Sequence, residues 1–113
     1  MNAHTRIVDD PEVEKALDFL RDSARSIGEA VKRARRASNM IKHIEALAFK
    51  ASDATSNDKR QADARTSQAY VDAINEDAEA FGELEVLKSL REAAVLKIEA
   101  WRTEQSNFRA MKL

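Results

Sequence analysis

Cysteine is missing from this 113-residue chain, which excludes disulfides, thiolate metal sites and cysteine nucleophiles together and fits a reducing cytosol. Breakers are scarce too. Two glycines and one proline permit long uninterrupted helices, and aromatics at 5% disfavour sheet. No run approaches the roughly 18 apolar residues of a membrane span, and the N-terminal MNAHTRIVDD has no apolar core of a signal peptide. The expectation is a soluble, cytoplasmic protein with no membrane partner. An excess of one charge is also missing: the net charge of −1 argues against a general polyanion binder.

The motifs of catalysis are absent as well. There is no glycine-rich phosphate loop, no nucleophile elbow and no zinc-ligand spacing. His4 and His43 are far apart, and Glu83 and Glu85 point to different faces of a helix at a spacing of two. The residues therefore predict no enzyme, no metal site and no cofactor.

What the chain does have is charge and helical periodicity. Charged residues make up 35%, and the length suits one domain. Asp10-Pro11-Glu12 reads as an N-cap, a first-turn proline and a first-turn acid. From there Val13, Leu17, Leu20, Ala24, Ile27, Val31, Ala34, Ser38 and Ile41 recur at steps of four and three, with Ile44 and Ala48 continuing the stripe. Ser52 to Asp58 interrupts it with residues that favour caps and loops. A second stripe follows: Tyr70, Ile74, Ala78, Phe81, Leu84, Leu87, Leu90, Ala94, Ile98, Trp101 and Phe108.

The predicted fold is all-α: a long, antiparallel, coiled-coil-like helical hairpin. Residues 1–10 form a flexible arm, and residues 11–113 form one domain. In it a helix spans about 11–51, a turn 52–58 and a second helix about 59–111, with a kink near residue 82 as the variant. Folding about the turn pairs positions whose numbers sum to roughly 111. That sets the basic stretch 32–36 opposite Glu76, Asp77 and Glu79, and Lys97 and Arg102 opposite Glu14 and Asp9. Alanine-rich stripes offer little area to bury, so a homodimeric four-helix assembly is expected.

Two surfaces stand out for binding. Lys32, Arg33, Arg35 and Arg36 form a basic run able to meet phosphates, against the alternative of a solvated face neutralised by the acids opposite. Near the C-terminus Trp101 borders a stripe of Arg102, Ser106 and Arg109, an aromatic beside guanidinium groups that suits bases or a protein partner. The alternative is that Trp101 and Phe108 only pack on the first helix.

The segments Ala16-Leu17-Asp18-Phe19-Leu20-Arg21-Asp22-Ser23-Ala24 and Ala93 to Arg109 (AAVLKIEAWRTEQSNFR) resemble a family of small helical proteins of tailed phages and prophages, encoded beside recombination and single-strand annealing genes. The resemblance implies a non-enzymatic accessory role in phage DNA metabolism inside the bacterial host, exerted on a protein partner or through weak nucleic-acid contact. An inhibitor of a host nuclease or defence complex, and a structural assembly protein, are the other readings.

Overall fold

The computed structural model describes residues 7–112 as helices α1 (Asp10–Asp22), α2 (Ala24–Ala51), α3 (Asn57–Thr66) and α4 (Gln68–Lys112), with no strand among them. The all-α hairpin class expected from the sequence is what the chain adopts. Contacts gather into two compact units, which together make up the span expected as one domain. One runs through Ile27 and resumes at Val86; the other is Gly28–Glu85.

In the first unit the helix starts one residue earlier than expected. Asp9 is the N-cap: its Oδ1 accepts from the Glu12 amide at 2.9 Å, and Glu12 Oε2 accepts from the Asp9 amide at 3.0 Å. Two free amides are thus satisfied reciprocally, so the cap settles on Asp9 and Pro11 falls one position inside the helix. The flexible arm expected over 1–10 needs correcting for residues 7–10; residues 1–6, with His4, lie outside the described residues. Glu104 Oε1 accepts from the amides of Ile7 and Val8 at 2.9 and 3.1 Å, and Val8 is buried.

The expected single helix over 11–51 is interrupted at Ser23. Its φ and ψ stay near helical values, and its amide still bonds the Phe19 carbonyl at 2.8 Å. The disturbance comes from Arg91, whose Nη1 donates to the Leu20 carbonyl at 2.8 Å and to Ser23 Oγ at 2.6 Å. A side chain inserted into the hydrogen-bond ladder is a common cause of such breaks.

In the second unit the turn is shorter than 52–58, because Ser56 caps α3 by accepting from the Lys59 amide at 3.3 Å. Ser52 Oγ accepts from the Ala54 amide and donates to Asp63, and Arg60 Nε donates to the Ala54 carbonyl while its guanidinium lies 5.8 Å from the Phe49 ring centre. The second long helix breaks at Ser67 and runs uninterrupted through Gly82. Ser67 is extended, donates to the Ala64 carbonyl at 2.6 Å and accepts from the Tyr70 amide at 3.3 Å, so one side chain ends α3 and starts α4.

Bonds that cross each hairpin follow the expected register. Within the first unit Asp10 meets Trp101 and Leu20 meets Arg91; within the second Arg33 meets Glu76. The seam keeps most of the expected stripe and departs from it at particular positions. In the first unit it holds Val13, Ala16, Leu20, Ser23 and Ile27 with Leu87, Arg91, Ala94, Ile98 and Trp101. In the second it holds Ala30, Ala34, Ala37, Ile41, Ile44 and Ala48 with Ala64, Tyr70, Ala73, Asp77, Ala80 and Leu84. Leu17, Val31, Ile74, Phe81 and Leu90, placed inward by the sequence pattern, are exposed. At each of these the neighbouring Ala16, Ala30, Ala73, Ala80 or Arg91 takes the inward place. Small side chains let two helix backbones approach closely, since interaxial distance follows the residues at the contact.

Candidate functional site

The basic run is divided by the helix it lies on. Arg33 points along the hairpin flank and is half-buried, with its Nε donating to Glu76 Oε1 at 2.8 Å and its Nη1 to Glu83. Glu76, held by that hydrogen bond, has its carboxyl below the usual glutamate range. Arg33 is accordingly an internal tie. Lys32, Arg35 and Arg36 are exposed, and none has a hydrogen bond or ion pair among the described residues. The neutralisation weighed for the whole run therefore reaches only Arg33.

A carboxyl whose folded pKa is depressed stabilises the fold above its unfolded pKa, and the contribution is lost as pH falls through the folded value. Glu76 should therefore titrate below the ordinary value of about 4.3 when followed by carboxyl NMR. Arg33→Gln should raise it, because the hydrogen bond and the positive charge that lower it are both lost while desolvation, which acts in the opposite direction, remains. No change on substitution would show that the pair does not hold in solution.

The C-terminal candidates come together on one helix. Trp101, Arg102, Gln105, Ser106 and Arg109 line a shallow depression of about 450 Å³ on α4. Trp101 is half-buried and fixed by its Nε1, which donates to Asp10 Oδ1 at 2.9 Å. Arg102 and Arg109 are exposed. Arg102 has no partner among the described residues, and Arg109 reaches only the Gln105 carbonyl at 3.5 Å. A spacing of seven sets the two guanidinium groups about 10 Å apart along the axis. The expected pairing of Lys97 and Arg102 with Glu14 and Asp9 is absent: Asp9 caps α1, while the same level is tied by Trp101 and Asp10.

Arg91 was missed by the sequence reading. A cation beside an apolar stripe gives no sign that it will turn inward to cap a carbonyl on another helix. Among the described residues no helix is long and apolar enough to cross a membrane, and no three metal-ligating side chains gather. No protein-family model, curated protein or solved structure matches the chain.

Proposed function

We propose that this is a non-enzymatic accessory protein of phage DNA recombination or replication, acting by binding, with the C-terminal face of α4 as its contact for nucleic-acid phosphates. One observation carries the reading: Arg102 and Arg109 lie exposed in one depression, neither in an ion pair among the described residues, beside an indole whose position is fixed. Planar guanidinium groups with free donors suit phosphate oxygens, and an immobilised aromatic ring suits a base that stacks on its face. The exposed Lys32, Arg35 and Arg36 supply a second cationic surface in the other unit. The phage setting rests on the resemblance of the two sequence segments.

Fluorescence anisotropy with labelled single- and double-stranded oligonucleotides at increasing potassium chloride tests the reading. Binding that weakens linearly on a logarithmic salt scale is expected, since each phosphate contact releases counterion. No binding at low salt would overturn it. The second reading, inhibition of a host nuclease or defence complex, is favoured by the acidic segment of α4: Asp72, Glu76, Asp77, Glu79, Glu83 and Glu85 repel free DNA. Capture of a host protein, lost with the same two arginines and unaccompanied by oligonucleotide binding, would establish that alternative.

A further inference from the structure

The two flanks of the seam in the Gly28–Glu85 unit differ in kind. Arg33, Glu76 and Glu83 cross one flank with ion pairs, beside a groove of about 510 Å³ lined by Lys32, Arg36, Met40, Ala69 and Asp72. Val31, Ile74 and Phe81 each lie two residues before one of those groups, about 200° around the helix, and so occupy the opposite flank. That flank is open. Phe81 is 58% exposed, Ile74 42% and Val31 38%, with Val71 next to them at 40%. Gly82 leaves the surface beside Phe81 clear, with nothing within 4 Å of where a Cβ would stand.

We propose that a second copy of the chain packs on this flank about a two-fold axis parallel to the helices, so that Val31 meets the partner's Phe81 and Phe81 meets the partner's Val31. Charge selects both the occupant and the axis. On this flank α2 presents Arg35 and Lys42, whereas α4 presents Glu85, and residues 68–85 of α4 hold no Lys or Arg. A parallel two-fold axis sets each basic α2 beside an acidic α4. The perpendicular axis would stack α2 on α2, like charge on like. In the antiparallel register Val31 and Phe81 stand at one level, so the parallel axis brings both pairs together at once.

Area supports the same occupant. No side chain larger than alanine is fully buried among the described residues, and the seam of this unit is mostly alanine. The open flank presents roughly 300 Å² of apolar surface per copy, taking usual side-chain areas. A standard interface covers about 800 Å² per partner with an apolar centre and a polar rim, and here Arg35, Lys42 and Ala78 border the apolar patch.

Sedimentation equilibrium of the full chain tests this. A dimer at micromolar concentration is expected, and Phe81→Glu with Ile74→Glu should weaken it at least about a hundredfold, as loss of central anchors does. Helicity should be retained and the monomer should unfold cooperatively with at most a modest loss of stability, because both positions lie off the seam and the Phe81→Glu change adds only like-charge contacts with Asp77 and Glu85. Mixing V31C chains with F81C chains should yield a disulfide-linked heterodimer. Monomer at all concentrations, a dimer indifferent to the two glutamates, or homodimeric F81C disulfides in place of the mixed one would each overturn the proposal. Arg102 and Arg109 are untouched in these variants, so oligonucleotide binding reports on the functional reading separately.

Discussion

Leu84→Ala should lower the unfolding free energy by about 3 kcal/mol, the usual loss for a buried leucine, while Phe81→Ala should leave the isolated monomer almost unchanged. Leu84 is only 8% exposed, on the seam of α4 against α2, whereas Phe81 stands outside that seam. The contrast extends to the seam residue next to Phe81 in the chain. Ala80 is 1% exposed, and Ala80→Leu forces extra volume between closely packed helices, at a cost of about 2 kcal/mol. Stability of small domains is only about 5–15 kcal/mol, so either substitution removes a large share of it. Urea unfolding at concentrations low enough to keep the chain monomeric reads these effects. Should Phe81→Ala prove costlier than Leu84→Ala under those conditions, Phe81 would have to face inward, where the stripe read from the sequence places it together with Leu84.

The double substitution Arg102→Ala with Arg109→Ala should reduce partner binding at least about a hundredfold, because two charge-assisted contacts of about 1.5–3 kcal/mol each are removed. The fold should not notice. Neither guanidinium is in an ion pair among the described residues, so the melting temperature should move by no more than about 3 °C. Trp101→Ala separates anchoring from contact. It removes a half-buried ring and its hydrogen bond to Asp10, lowering stability by about 2 kcal/mol as well as weakening binding. Normal binding by the double-arginine variant, combined with loss of binding when Lys32, Arg35 and Arg36 are all replaced by glutamine, would move the contact surface to α2.

Much of the hairpin was legible because each signal was local. The Ser52 to Asp58 loop announces itself through residues whose side chains compete for backbone amides, and in the structure Ser52 and Ser56 do that. The register was legible from opposed charge blocks, and Arg33 with Glu76 sits where those blocks meet. The C-terminal candidates Trp101, Arg102, Ser106 and Arg109 were grouped by helical spacing alone, and in α4 they line one depression. The interruptions at Ser23 and Ser67 were not legible. One arises from Arg91, 68 residues away, and the other from a serine inside an otherwise helical stretch.

Composition and periodicity by themselves determined the helical class, the single interhelical loop and the pairing level of the two arms, since these depend on propensity, turn chemistry and charge order along the chain. Which side of each stripe faces inward was decided only by tertiary packing. A heptad pattern with Ala30 beside Val31, Ala73 beside Ile74 and Ala80 beside Phe81 is compatible with either neighbour facing in. Size-based reasoning chooses the larger. At these three positions the folded chain turns alanine inward and leaves the larger neighbour exposed, an arrangement in which small side chains at the contact permit a shorter distance between the helix axes.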